Sequence, residues 1–281
     1  MKQQNSQTAN ILAIECKRAF TSSGFWLSLL LGSTLAIIQY VLEVIPAIQN
    51  LPENLEYGLL EMMSPAFLYS SWLGGKSSGM LQYLYFLLLP IMAVLPYGDS
   101  FFLDVKGGLV HNICIRTNKK AYYLSKYFAV FLSGGIAVTL PLLINFLLSA
   151  AVLPGMNMQP SAFYHLISNT STFPNLFYQH PVCYVALYLF IIFVFSGFYA
   201  TLAPLMSYYT NYRFLVLVAP FIFYLFLSAV SNVLGASSWD PINFLLPGYY
   251  ENVLLPILVV PLVIGLITFF GFVVWGEKDV Y

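Results

Sequence analysis

Six apolar runs, at residues 25–45, 81–98, 127–153, 182–206, 214–234 and 253–275, decide most of what this chain can become. Each is about 18 residues or longer, enough for a helix to cross roughly 30 Å of hydrocarbon. A strand left bare in lipid would have unpaired peptide groups, so each run must be helical. A β-barrel would show segments of about 10 residues alternating apolar and polar, and these runs are continuous. Charge supports the same conclusion. Only 8% of the residues are charged and 59% are hydrophobic, whereas a soluble domain carries about 25% charged residues to cover its surface. The expected fold is an all-α integral membrane protein with six transmembrane helices in one domain.

The basic residues orient it. With the N-terminus inside, the inner segments hold Lys2, Lys17, Arg18, Lys106, Arg116, Lys119, Lys120, Lys126, Arg213 and Lys278, and only Lys76 lies outside. This is the positive-inside pattern. Glu53, Glu56, Glu61, Asp240 and Glu251 fall outside. Both termini are therefore expected in the cytoplasm. Residues 46–80 and 154–181 form extracytoplasmic loops, and 99–126 form an inner loop. Residues 1–24 precede the first span, and Ile11, Ile14, Arg18 and Phe20 are spaced for an amphipathic helix on the inner membrane face. Glu15, Lys17 and Arg18 are then expected to face water or a docked subunit. No small-residue cleavage site follows the first run, which reads as a retained helix. The stretch 53–75, with Tyr69 and Trp72, reads equally as a helix at the outer interface or as a packed loop. The prolines in or near the spans (Pro90, Pro96, Pro141, Pro204, Pro220, Pro256 and Pro261) are expected to mark kinks.

Several chemistries fail on the residues. Gly74-Gly75-Lys76-Ser77 ends like a phosphate-binding loop, but Ser70 stands where that motif needs its first glycine. Pro96-Tyr97-Gly98-Asp99 is half of an intramembrane aspartyl protease signature, without the glycine at Pro96 or a second mid-membrane aspartate. His111, His165 and His180 lack metal-ligand spacing, and Cys16, Cys114 and Cys183 are too scattered for a zinc site or disulfide framework. Zero net charge gives no reason to expect nucleic acid. No catalytic residue set emerges, so the chain is expected not to be an enzyme. Glu43 is the only acid inside a run, with Gln39, Asn145 and Asn232 as further polar groups. That is too little for a self-sufficient ion-coupled transporter. An external motor fits better.

The inner loop is the most distinctive element. Asp104-Val105-Lys106 leads into Gly107-Gly108, then the apolar Leu109, Val110, Ile113, Cys114 and Ile115 with His111 and Asn112 between them. Arg116, Thr117, Lys119, Lys120 and Lys126 follow. A short helix here would offer a partner an apolar face with a basic margin. In this order of elements the chain resembles the membrane subunits of type-2 ATP-binding-cassette (ABC) exporters. That family has an acid, a glycine, a basic turn and a lysine opening helix three, positions taken here by Asp104, Gly107, Arg116 to Lys120, and Lys126. It usually has glutamate at the acid, and Gly107-Gly108 replaces a commoner Gly-Thr.

The resemblance implies a half-transporter in a bacterial cell membrane, paired with a second copy or a sister permease. It would sit on separate cytosolic ATPase subunits that carry ATP and Mg, with no cofactor on this chain. Residues 104–120 would be the coupling helix, with Glu15, Lys17 and Arg18 nearby. A pathway along helices one, two and five would involve Gln39, Tyr40, Glu43, Ser228 and Asn232. The expected cargo is hydrophobic or amphipathic: a peptide, drug or lipid-linked molecule. Two rival expectations are an ion-coupled secondary transporter and a non-transporting membrane scaffold or sensor.

Overall fold

A computed structural model describes residues 2–49, 68–75, 79–155, 171–247, 253–274 and 276. The regular structure among the described residues is helical, without a strand. Five helices are long and apolar enough to cross a membrane, so the chain is a multi-pass membrane protein in its coarse architecture. Most of the two expected outer loops, with Lys76 and His165, lies outside the described residues. So does the greater part of the 53–75 stretch.

In chain order the elements are α1 (Lys2–Phe20), α2 (Ser23–Gln49), α3 (Leu68–Ser71), α4 (Met80–Val94), α5 (Ser100–Lys106) and α6 (Leu109–Arg116). Then come α7 (Lys119–Ala150), α8 (Pro174–Gln179), α9 (Pro181–Met206), α10 (Arg213–Val233), α11 (Pro241–Leu245) and α12 (Leu254–Val274). The long helices α2, α7, α9, α10 and α12 are the five candidate spans. The second expected span, 81–98, shortens to the 15-residue α4, about 22 Å of helix. Pro96 is the reason: it cannot continue the ladder, and the chain turns over residues 95–99 before α5.

The third span differs in the other direction. It begins at Lys119 rather than 127, because the Asn118 side chain accepts from the Lys120 N–H at 3.0 Å and caps the helix. Lys119 and Lys120 therefore occupy its first turn, and Lys126 lies two turns inside it. In α2, Ile45 N–H reaches back five residues to the Tyr40 carbonyl, giving a widened turn over Tyr40–Val44. Pro46, which has no N–H, follows directly.

Helix α7 is the spine, packed by α1, α2, α4 and α9. Small residues allow the close approaches. The buried face of α2 carries Ser28, Gly32 and Ala36 at four-residue spacing, and a Cβ on Gly32 would meet Pro141 Cγ at 2.8 Å. Two prolines leave carbonyls that neighbouring helices satisfy. Pro90 cannot donate to Phe86, and Tyr224 Oη donates to that carbonyl at 3.0 Å. Pro96 cannot donate to Met92, and Ser28 Oγ donates there at 2.6 Å. Such repair is what hydrocarbon requires, since no water is available to replace the missing donor.

Candidate functional site: a buried ionic cluster at one end of the bundle

Where α1, α5 and α7 meet, four charged side chains and two tyrosines close into one network. Lys126 is its centre. Its Nζ, 0% exposed, lies 3.0 Å from Glu15 Oε2, 2.5 Å from Asp104 Oδ2 and 3.2 Å from Tyr97 Oη. Arg18 binds Glu15 Oε1 at 3.0 Å through one terminal nitrogen and Asp104 Oδ1 at 2.8 Å through the other. Tyr97 Oη donates to Glu15 Oε2 at 2.7 Å, and Tyr122 Oη donates to Asp104 Oδ2 at 2.9 Å. Two carboxylates face two cations, so the cluster is neutral and its acceptors are shared. That completeness is what makes buried charge tolerable.

The local folds deliver these groups. Glu15 and Arg18, three residues apart on α1, project from one face. Ser22 caps α2, accepting from Phe25 N at 3.1 Å, and its hydroxyl also reaches the Pro96 carbonyl at 2.6 Å. This ties the α1–α2 elbow to the turn that presents Tyr97. Gly108, at φ 68°, reverses the chain between α5 and α6 in a conformation that a side chain disfavours. Burial alone would raise the Asp104 carboxyl. Its hydrogen bond to Arg18 and its charge and hydrogen-bond contacts with Lys126 outweigh that, and hold it below the ordinary carboxylate range. The hydrogen bond to Asp104 likewise pushes the Arg18 guanidinium further up.

Three expectations are corrected here. Glu15 does not face water: it is 2% exposed, because Lys126 and Tyr97 draw its carboxylate into the cluster. Asp104 and Lys126 are buried for the same reason and do not form the surface of a basic loop. The surface there is made by Lys17, Lys106, Gly107, Gly108, Leu109, His111, Asn112, Ile115 and Lys120, all exposed, with Thr117 and Lys119 partly covered. Arg116 closes α6. Lys106 Nζ donates to the Asn211 carbonyl at 2.9 Å, and Arg213 pairs with Asp99 at 2.6 Å. Both bonds bring the α9–α10 turn to this charged end.

The expected pathway residues divide into two groups at the opposite end. Gln39 is fully buried. Its Nε2 donates to Glu43 Oε2 at 3.0 Å and to the Ser71 carbonyl at 2.7 Å, and its Oε1 accepts from Asn145 at 2.9 Å. Tyr40 stands half-buried beside them in the widened turn. Ser228 and Asn232 on α10 belong elsewhere: both donate to Asp240 Oδ2, at 2.9 and 3.1 Å. Asp240 in turn caps α11 through Ile242 N. Among the described residues no group of acids, histidines and cysteines is arranged to hold a metal.

Tyr97, Tyr122 and Asp99 were missed as site residues. A signal for the acids was present. Glu15, Asp99 and Asp104 lie in the segments that hold the bases, and all three are ion-paired. Comparison with protein-family models, curated proteins and solved structures finds no match to this chain.

Proposed function

We propose that this chain is the permease subunit of a type-2 ABC exporter, crossing the membrane six times with α4 as the short second span. In this reading both termini and the charged end are cytoplasmic, and α1 lies along the inner face. Two copies, or this chain and a sister permease, sit on separate ATPase subunits that carry ATP and Mg. They export or flip a hydrophobic or amphipathic cargo.

The observation that carries the reading is the mounting of α6. This short helix exposes Ile115 (72%) and Leu109 (43%) together with His111 and Asn112, a mixed apolar and polar surface that a partner groove would take. The adjoining α5 is clamped through Asp104 to α1 and α7. Motion imposed on α6 would therefore move the bases of helices one and three together. A second observation supports pairing. The two least covered spans are α2 and α10, with 28% and 22% of their most apolar windows buried, against 39–56% for the others. These are helices one and five, two of the three helices (one, two and five) near which the resemblance puts the pathway along the dimer interface.

The test is purification of the protein from detergent, asking whether a cytosolic ATP-hydrolysing subunit accompanies it. Ile115→Asp should abolish that association without unfolding the permease. A protein that transports alone, with no ATPase bound, would overturn the reading. In that case ion coupling through Glu43, the one acid within the α2 span, becomes the better account.

A further inference from the structure

Residues 68–75 are held in an unusual way. Only the four residues of α3 are helical, and the backbone beyond is gripped by side-chain amides from three different helices. Gln39 of α2 donates to the Ser71 carbonyl at 2.7 Å. Asn145 of α7 accepts from Leu73 N–H at 2.8 Å. Gln82 of α4 donates to the Gly75 carbonyl. Trp72 (1% exposed) and Leu73 (0%) are sunk among these helices, with the Trp72 ring edge-on to Phe146 at 5.3 Å. The Gly74-Gly75 pair lets the chain fold over this plug: a Cβ on Gly74 would overlap the Trp72 ring, and one on Gly75 the Ser70 carbonyl.

The clasp is nearly complete without its guest. Asn145 Nδ2 already donates to the Ala36 carbonyl at 3.0 Å and to Gln39 Oε1 at 2.9 Å. Gln39 Nε2 already has Glu43. If the segment left, Gln39 would keep a partner on each polar atom, and Asn145 would lose only the bond to Leu73. Buried polar groups usually make departure expensive because they are left unsatisfied; here Gln39 and the Asn145 amide nitrogen keep partners, so departure is opposed by the bonds of Asn145 Oδ1 and Gln82 and by the burial of Trp72 and Leu73. We infer that residues 68–75 are a withdrawable plug in this end of the helix bundle, latched by Gln39, Gln82 and Asn145. Its release uncovers Gln39, Glu43 and Asn145 while the helices stay packed. This inference does not depend on the energy source or the orientation proposed above.

Protein in lipid nanodiscs, with both faces accessible, provides the test. In the unaltered chain, hydrogen exchange at residues 68–75 should proceed through an opening that leaves α7 and α9 protected. Exchange of these amides only together with α7 and α9 would overturn the proposal. For the latch, Leu73→Cys is placed in a background with Cys16, Cys114 and Cys183 changed to serine, and maleimide labelling is timed. Asn145→Val, or Gln82→Leu, should speed labelling about 5- to 30-fold, the factor that one or two hydrogen bonds represent. A control at Val185→Cys, buried on α9, should stay unreactive. An unchanged rate at Leu73→Cys, or equal acceleration at both positions, would sink the latch.

Discussion

Replacing Lys126 with methionine isolates the ionic cluster, because methionine keeps the unbranched stem and removes only the charge. The cluster then holds Glu15 and Asp104, at most 3% exposed, against the single cation Arg18, which already binds both. Removing one partner of a buried ion pair costs about 3–5 kcal/mol, chiefly through the uncompensated charge left behind. For a chain of this size that corresponds to a fall in melting temperature on the order of 10 °C. Glu15→Gln errs oppositely, leaving two cations with one carboxylate. The double variant restores neutrality as an Arg18–Asp104 pair supported by Tyr122. It should therefore be less damaged than the sum of the singles by about 1–3 kcal/mol, the coupling expected of contacting charges. The assay is thermal unfolding in detergent of the four proteins in the cycle, read by intrinsic fluorescence. Strictly additive losses, or a Lys126→Met protein as stable as its parent, would refute the claim that charge balance holds α1 and α5 to α7.

Two further predictions test the same physical account. Asp104 is held below its ordinary range, so its stabilisation is fully present above the unfolded carboxylate value of about 3.9. It is lost as pH falls through the still lower folded value. Proteolysis of α1 should therefore be flat from about pH 5 to 8 and rise in more acidic buffer; a rise already near neutrality would contradict the assignment. Tyr224→Phe removes the donor to Phe86, whose helical donor is missing at Pro90, and should cost about 1–3 kcal/mol. Tyr85→Phe, whose bond goes to the Val138 carbonyl within the α7 ladder, should cost less in the same unfolding assay.

How far the sequence could be read follows from which forces act locally. Apolar run length reports on a helix's fit to hydrocarbon, so the spans matching α2, α7, α9, α10 and α12 were legible. Their boundaries were not, because caps and prolines set them: Asn118 extends α7 toward its start, and Pro96 cuts α4 short. The clusters were harder still. Periodicity placed Arg18 on a face of α1, but nothing within α1 indicates that Glu15 turns toward Lys126, 111 residues away. Only the presence of acids in segments otherwise dominated by bases hinted that Glu15, Asp99 and Asp104 had found partners. Gln39 and Asn145 were recognisable as intramembrane polar groups, yet their joint grip on residues 68–75 depends on three helices converging. Asp240 fell in a loop by hydropathy, and its bonds to Ser228 and Asn232 arise because α10 ends at Val233 and the chain turns back through Gly235, at φ 66°.

The two ends of the bundle use different chemistry, and the difference bears on which end yields. At the charged end, breaking the contacts among Glu15, Arg18, Asp104 and Lys126 would leave a buried ion short of its partner, at a penalty of several kcal/mol. At the amide end the groups are neutral except for Glu43, and each bond is worth about 1 kcal/mol net. The amides there also have alternative partners already engaged. A displacement entering through α6 would thus carry α1, α5 and the base of α7 as one body. Strain would pass along the 32-residue α7 to Asn145, where separating the latch from residues 68–75 breaks neutral hydrogen bonds and uncovers Trp72 and Leu73 but strands no ion. A stiff base and a compliant far end, joined by one long helix, would convert motion at α6 into opening at the opposite side of the bundle. Breaking the base with Lys126→Met should therefore leave plug exchange under its own local control, while abolishing any dependence of that exchange on what binds α6.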